Sequence, residues 1–423
     1  MPGSATARTK KTTHKNPRRR TASPLVGNAL VGQAGGPTVV INQSLVGVIS
    51  AAQREKAIPR VYGARHGIMG ILTDQLIDLG RQPARVLERV AQTPASALGS
   101  VRKQPKPEEC ERIVEAFRRH DIRYFFYIGG NDTAETALAI QAAARAAAYE
   151  MRVFHVPKTI DNDLRVTDHC PGYGSAARFV ACALAGDDLD NRSLPGIKID
   201  VIMGRHAGFL AAASALARRE PDDGPHLIYL PEVDFSADRF LEDVDAVYGR
   251  LGRCVVAVSE GIHDAQGRLI IESGEKDSHG NVQLSGTGAL GDLLALRVKE
   301  RFGKSIRVRA DTLGYLQRSF LGVVSAVDAA EARAVGREAV RAALSGKHDS
   351  GSIAIRRRPG KKYAVDYLVT PLDTVARVTR SIERAWINAR GNDVEPQFLD
   401  YARPLVGKLP IVGHLENRKI VGR

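Results

Sequence analysis

Short apolar runs alternate with helical patterns of apolar residues from about residue 25 onward. Five runs are rich in β-branched or aromatic residues and are followed closely by Gly, Pro or Ser, which is typical of strands. They occupy residues 122–128, 153–156, 199–202, 226–230 and 254–258. Helical spacing predicts helices at about 42–53, 134–148 and 210–218. Strands that alternate with helices predict an α/β fold with mainly parallel central sheets flanked by helices.

The length of the chain indicates two domains, because 423 residues are more than one compact core usually holds. The chemically suggestive residues come directly after the strand runs. In open α/β sheets, ligands bind at the carboxyl ends of the strands. We therefore expect the functional site at that edge of the sheets.

Composition excludes several classes of protein. Apolar residues make up 43% of the chain and charged residues 26%, as in folded globular proteins. No apolar run approaches the roughly 18 residues of a membrane helix, so we expect no membrane partner. The four cysteines lack CxxC spacing, which is typical of reduced thiols in a cytoplasmic protein.

The net charge of +14 is unevenly distributed, because residues 1–20 carry seven Lys or Arg and no acidic residue. We interpret residues 1–24 as a basic disordered tail, since such a segment cannot bury a core. A nucleic-acid arm is the alternative interpretation of this tail, and it rests on these residues alone. The remaining excess of positive charge suits an anionic small-molecule substrate.

Two glycine turns precede predicted helices and could bind phosphate through backbone N–H groups. One contains Gly35, and the other continues from Gly130 into Asn131 and Asp132. Asn131 and Asp132 also carry oxygens of the kind that bind Mg²⁺. The alternative is a structural role, in which the first turn is only tight and Asp132 or Thr133 caps the helix.

The segment 157–163 combines a lysine with two carboxylates directly after a strand run. Asp161 or Asp163 could take a proton from a substrate hydroxyl. Lys158 could neutralise a phosphate while its charge is transferred. A polar surface turn would also contain Asp and Asn, but it does not require the Lys-Thr-Ile sequence that precedes them here.

Further cations and a carboxylate follow later strand runs. Arg205 stands in a third glycine turn, and Glu260 comes directly after the run at 254–258. Arg309, Tyr315 and Arg318 add two cations and a phenol suited to another phosphate group. The whole set fits phosphoryl transfer, where positioning and charge neutralisation do most of the chemistry.

These motifs identify a resemblance. The chain resembles the 6-phosphofructokinase family over residues 25–344, with nine motifs in the family's order. They are GGPTVVIN (35–42), GSVR (99–102), GGNDT (129–133), PKTIDND (157–163), GYGSAAR (172–178), MGRHAG (203–208), PEVDFS (231–236), SEG (259–261) and LGYLQRS (313–319).

The resemblance implies Mg²⁺-dependent transfer of a phosphoryl group to the 1-hydroxyl of fructose 6-phosphate in glycolysis. It makes Asp161 the general base and implies Asn131 as a metal ligand, although many members have Asp there. The implied donor-side residues are Gly35, Arg102, Gly130, Asp132 and Lys158. The implied sugar-side residues are Thr159, Asp161, Asp163, Met203, Gly204, Arg205, Glu260, Arg309, Tyr315 and Arg318.

The resemblance also implies an architecture. We expect a phosphofructokinase-like pair of domains with the site in the cleft between them. The donor domain would comprise residues 25–172 and about 320–365, and the sugar-phosphate domain residues 173–319 and about 366–423 with a C-terminal extension. One arginine of the sugar-phosphate site typically comes from a second subunit, so a homodimer is the smallest expected assembly.

Asp132 and Lys158 indicate pyrophosphate as the donor. ATP-using members have glycine at both positions, and pyrophosphate-using members typically have this Asp and Lys. A carboxylate beside the α-phosphate of ATP is unfavourable, whereas pyrophosphate has no such phosphate. Transfer from pyrophosphate is also expected to be reversible. An ATP-dependent phosphofructokinase, a sedoheptulose 7-phosphate kinase and a non-catalytic regulatory or anion-binding subunit remain alternatives.

Overall fold

The structure is a computed structural model that describes residues 25–271, 288–413 and 415. The predicted tail at residues 1–24 lies outside the described residues, as does the end of the predicted C-terminal extension, residues 416–423. No helix in the described ranges is long and apolar enough to cross a membrane.

Eleven strands form two sheets within the described residues. The strands are β1 Asn28–Gln33, β2 Val61–Ala64, β3 Leu76–Asp78, β4 Ile122–Gly129, β5 Arg152–Pro157, β6 Ile197–Ile202, β7 Leu227–Tyr229, β8 Cys254–Ser259, β9 Val308–Thr312, β10 Ser350–Arg357 and β11 Val365–Thr370. The first sheet has the order β11-β10-β5-β4-β1-β2-β3, and the second has the order β7-β8-β6-β9.

The pairing in both sheets is mainly parallel. In the first sheet, only the outer pairs β10–β11 and β2–β3 are antiparallel, and the second sheet is parallel throughout its described strands. The central strands β1, β4 and β5 are neighbours, as are β8, β6 and β9. Their carboxyl ends therefore meet at one edge of each sheet.

Helices cover both faces of each sheet. They are α1 Ile41–Ala52, α2 Ile68–Leu72, α3 Ala84–Ala91, α4 Pro107–Arg119, α5 Asn131–Ala146, α6 Tyr173–Ser193, α7 Phe209–Ala213, α8 Ala237–Leu251, α9 Ala289–Phe302, α10 Leu316–Ser319, α11 Ala326–Leu344 and α12 Pro396–Val406. Short 3₁₀ segments lie at Ser214–Ala217, Leu372–Thr374 and Arg384–Trp386.

The buried apolar residues form separate clusters on the two faces of each sheet. On the first sheet, α1 and α11 pack on one face, while α2, α4 and α5 pack on the other. On the second sheet, α6, α7 and α12 cover one face, while α8 and α9 cover the other. Strands covered on both faces are apolar along most of their length, which explains the nearly continuous apolar runs in β4 and β8.

The predicted fold class is confirmed, and each predicted strand coincides with an observed one. The helix predicted at 210–218 is wrong in extent, because α7 ends at Ala213 and a 3₁₀ segment follows. The predicted domain limits stay a prediction. The chain does return to the first sheet after the second, and β11 continues in that sheet beyond residue 365.

Candidate active site

A cavity of about 400 Å³ lies where the carboxyl ends of the two sheets face each other. Its first wall follows β1, β4 and β5, and its second wall follows β6 and β8. Thirteen of the predicted site residues line it. They are Gly35, Arg102, Gly130, Asn131, Asp132, Lys158, Thr159, Asp161, Asp163, Met203, Arg205, Glu260 and Tyr315.

Lys158 supplies a buried cation to this cavity. It follows β5 directly, its side chain is 3% exposed, and its Nζ donates a hydrogen bond of 2.6 Å to the carbonyl oxygen of Gly36. Burial, together with the neighbouring charge of Arg318, lowers the pKa of Lys158 to about 8. The side chain is therefore mainly protonated at neutral pH and close to its titration range.

Arg318 lies behind the first glycine turn, beside Gly36, and does not itself line the cavity. Its guanidinium carbon stands 4.4 Å from the ring centre of Tyr315, a cation–π contact that holds both side chains. A Cβ atom on Gly36 would lie 2.9 Å from Nη1 of Arg318, so the missing side chain lets the arginine approach the turn. Arg318 thus adds positive potential beside Lys158.

Two carboxylates on the loop after β5 have raised pKa values. Burial is the main cause of the rise for Asp161, and Lys158 and Arg318 oppose it. Burial, and then the neighbouring charge of Asp161, raise the pKa of Asp163 to about 7. A carboxyl group with a raised pKa holds a proton more readily than an exposed one, so both groups can accept and return a proton during turnover.

The second glycine turn leads directly into α5. Gly130 is the helix N-cap and has no side chain, so the alternative that Asp132 or Thr133 caps this helix is wrong. Asn131 Oδ1 accepts a 3.0 Å hydrogen bond from the backbone N–H of Asp132. Asp132 is exposed in the first turn of the helix and lines the cavity. Helix N–H groups at this position attract an anion.

The second wall of the cavity depends on a glycine with an unusual backbone. Gly204 has φ +131°, and a Cβ there would lie 2.5 Å from the carbonyl oxygen of Ala207. Its own carbonyl accepts a 2.7 Å hydrogen bond from Ser259 Oγ, which ties the ends of β6 and β8 together. This bond brings Glu260, which is 9% exposed, next to Met203 and Arg205 at the cavity wall.

Arg309 is a predicted site residue that lies outside this arrangement. It lies on β9, an edge strand of the second sheet, where it is exposed and outside the cavity lining. Gly204 and Arg318 also lie outside the lining, but both contact residues that form it or neighbour it. The roles of these residues stay predictions.

Sequence reasoning missed Arg380, which holds the loop that carries the two carboxylates. Its guanidinium donates to the carbonyl oxygens of three loop residues and contacts the hydroxyl of Tyr401. These bonds go to Asn162 (2.9 Å), Thr167 (2.9 Å), Asp168 (2.7 Å) and Tyr401 (3.3 Å). No motif surrounds Arg380, and more than 200 residues separate it from the loop, so the sequence held no local signal for this contact.

Asn162, between the two carboxylates, is a second missed residue. It adopts φ +59°, which a short polar side chain tolerates. Its Nδ2 donates to the hydroxyl of Tyr401 at 2.7 Å, and its Oδ1 accepts from the backbone N–H of Cys170 at 2.9 Å. Asn162 therefore holds the backbone between Asp161 and Asp163.

Replacing Arg380 by alanine is expected to reduce both stability and turnover. Loss of its bonds to buried carbonyls should lower the free energy of unfolding by about 2–4 kcal/mol. The loop would then present Asp161 in several positions, so kcat should fall as well. Arg377→Ala is the matched control, because that side chain is 76% exposed and pairs with Glu135. Denaturant unfolding and steady-state kinetics of both variants would test this, and equal behaviour would contradict it.

Comparisons with known proteins agree with this geometry. The family profile described as Phosphofructokinase matches residues 28–343. The pyrophosphate–fructose 6-phosphate 1-phosphotransferase of Rhodospirillum rubrum is 53% identical over 399 residues, covering 93% of this chain and 98% of that protein. The enzyme of the same name from Xanthomonas campestris is 40% identical, with 91% and 93% covered. The crystal structure of a pyrophosphate-dependent phosphofructokinase from Nitrosospira multiformis matches with a TM-score of 0.82 at 34% identity, covering 93% of this chain and 95% of that one.

Proposed function

Because the chain belongs to the phosphofructokinase family, we propose that it transfers a phosphoryl group from pyrophosphate to the 1-hydroxyl of fructose 6-phosphate. The products are fructose 1,6-bisphosphate and phosphate. The observation that carries this function is that Lys158, Asp161 and Asp132 line one cavity, between the carboxyl ends of both sheets.

The chemistry follows from the positions of these groups. Asp161 takes the proton of the 1-hydroxyl as the oxygen attacks the nearer phosphorus atom of pyrophosphate. The bond between that phosphorus and the bridging oxygen breaks, and phosphate leaves with the electron pair. Lys158 neutralises the charge on the phosphoryl oxygens, and Arg318 strengthens the positive potential from behind the glycine turn.

Two residues that line the cavity support pyrophosphate as the donor. Asp132 places an exposed carboxylate at the first turn of α5, and this charge would repel the additional phosphate of a longer donor. Lys158 fills the space beside Gly35, whose hypothetical Cβ would lie 3.3 Å from Nζ. Pyrophosphate is short enough to bind between them, and the curated relatives are named for it.

A divalent metal is typical of such phosphotransferases, and the oxygen groups of this cavity fit Mg²⁺. The amide oxygen of Asn131 and the carboxylates of Asp132 and Asp161 line the same space. Mg²⁺ prefers one or two such protein oxygens together with phosphate oxygens and water. Bound there, the ion would neutralise phosphate charge, and Asn131 is the residue we assign to hold it.

We also propose an assembly and a location. Arg309 is exposed at a sheet edge, where it can extend toward the sugar 6-phosphate of a second copy, so the proposed assembly is a homodimer or larger. The four cysteines are free, and three of them are buried, which fits the proposed cytoplasmic location. Reversibility follows from the similar transfer potentials of pyrophosphate and a sugar phosphate.

A donor comparison tests this function directly. The purified protein is incubated with fructose 6-phosphate and Mg²⁺, and either pyrophosphate or ATP is added. Turnover with pyrophosphate alone is the expected result. Turnover with ATP alone would agree with the family assignment but contradict pyrophosphate as the donor. Activity with neither donor would direct the search to another sugar phosphate as the acceptor.

The pH dependence tests the role of Lys158. Its pKa is lowered to about 8, so the free enzyme loses this positive charge as the pH rises through that value. We expect kcat/KM for pyrophosphate to fall over the same range, because the uncharged amine attracts the anion less. Lys158→Arg keeps its charge at every accessible pH, so its weaker activity should lack this alkaline decline. A wild-type profile that stays flat to pH 9.5 would contradict the assignment.

A further inference from the structure

Three aspartates converge at a place separate from the active-site cavity. Asp187 comes from α6, Asp200 from β6 and Asp311 from β9, and one carboxylate oxygen of each lies within 4.8 Å of the others. Asp200 and Asp311 are direct partners in the register of two parallel strands. All three stand apart from the residues that line the cavity.

Asp200 is the unusual member of this group. Its side chain is only 2% exposed, and its Oδ2 has no hydrogen-bond partner among the described residues. Oδ2 of Asp187 is also buried without a partner there. A buried carboxylate that lacks compensation costs several kcal/mol, and two like charges beside it increase that cost. The cluster therefore needs either a cation or a shared proton.

Lys198 compensates only part of this charge. Its Nζ donates a hydrogen bond to Asp187, and it lies 3.5 Å from Asp190 and 3.8 Å from Asp311. No ion pair within 4.0 Å joins it to Asp200 in the described ranges. With all three clustered carboxylates ionised, the one ammonium group leaves two negative charges, and one divalent cation would neutralise them.

We propose that Asp187, Asp200 and Asp311 bind a divalent cation of the oxygen-preferring class of Mg²⁺, Mn²⁺ and Ca²⁺, at a site separate from the catalytic one. All the ligand atoms are carboxylate oxygens, which such hard cations prefer. Asp311 is 62% exposed, so the site opens to solvent. The ion can enter from this side, and water molecules can complete its coordination. The buried side of the site is formed by Asp200.

The proposed ion would join α6 to the edge strand of the second sheet. Asp187 belongs to α6, and Asp311 belongs to β9, two residues after Arg309. An ion bound by all three carboxylates stabilises only the folded arrangement, because the unfolded chain does not bring them together. Binding should therefore raise the thermal unfolding midpoint.

Counting bound Mn²⁺ tests the proposal. The full-length protein is stripped with a chelator and titrated with Mn²⁺ alone, without pyrophosphate or sugar phosphate, and free Mn²⁺ is measured by electron paramagnetic resonance. Asp200→Asn and Asp311→Asn each remove one ligand. Asp190→Asn is the matched control, because it removes a carboxylate beside the same lysine but outside the cluster.

The wild type and Asp190→Asn are expected to bind one more ion per chain than the two cluster variants. Their thermal midpoints should also rise more with added Mn²⁺. Equal ion counts in all four proteins would overturn the proposal and leave a shared proton as the compensation. If Asp200→Asn fails to fold, Asp311→Asn still allows the comparison, because Asp311 is exposed and its replacement should not prevent folding.

Discussion

Replacing Asp161 by asparagine is expected to lower kcat by about 10²–10⁴-fold, the usual contribution of a general base. The amide cannot accept the proton of the 1-hydroxyl, while its size and its place on the loop after β5 stay the same. Folding should be retained, because the carboxylate is buried at a cost that the amide does not carry. Steady-state kinetics with pyrophosphate, alongside thermal unfolding, provide the measurement.

A control separates loss of the base from a general effect of the substitution. Asp373→Asn changes an exposed carboxylate in another part of the chain, and its kcat should equal that of the wild type. KM for fructose 6-phosphate should change much less than kcat in Asp161→Asn, because the group acts mainly in the transition state. Near-normal turnover of the folded Asp161→Asn protein would show that another group takes the proton.

Replacing Asp132 by glycine is expected to tighten ATP binding by at least about tenfold, which corresponds to about 1.4 kcal/mol. Two unit charges 4 Å apart repel by about 4 kcal/mol at an effective dielectric constant near 20, and exposure to solvent reduces this for Asp132. The glycine also frees space at the first turn of α5. Calorimetry with a non-hydrolysable ATP analogue measures the change.

Asp132→Asn is the matched control, since it removes the charge but keeps the bulk. If repulsion dominates, the asparagine variant should gain most of the affinity of the glycine variant. If bulk dominates, only the glycine variant should improve. ATP binding in Asp132→Gly no tighter than in the wild type would contradict the whole argument about the donor. Lys158 remains in both variants, so turnover with ATP is expected to stay lower than turnover with pyrophosphate.

Local patterns predicted five of the eleven described strands, together with the turns that follow them. The run at 122–128 became β4, and Gly130 and Asp132 follow it at the cavity. Such signals are short in range, because apolar content, glycine and helix N-termini act over a few residues. The resemblance to phosphofructokinases, carried by nine short motifs, is confirmed by the family match over residues 28–343.

Contacts between distant segments could not be predicted in this way. The C-terminal part of the chain contained no interpretable motif, yet Arg380 and Tyr401 hold the loop of Asp161 and Asp163. Every residue has a backbone carbonyl oxygen that can accept a hydrogen bond. The identity of the accepting residue therefore gives no sign of such a contact. The return of β10 and β11 to the first sheet likewise depends on packing between segments that are distant in the sequence.

The sequence by itself therefore determined the α/β class and the family, and it proposed the groups that would carry the chemistry. Only the tertiary structure decided which of those groups meet. It brought Lys158 and Glu260 to one cavity, left Arg309 exposed on an edge strand, and gathered three aspartates elsewhere. The physical reason is that residue types set local backbone and chemistry, whereas burial, charge and pKa depend on neighbours supplied by other parts of the chain.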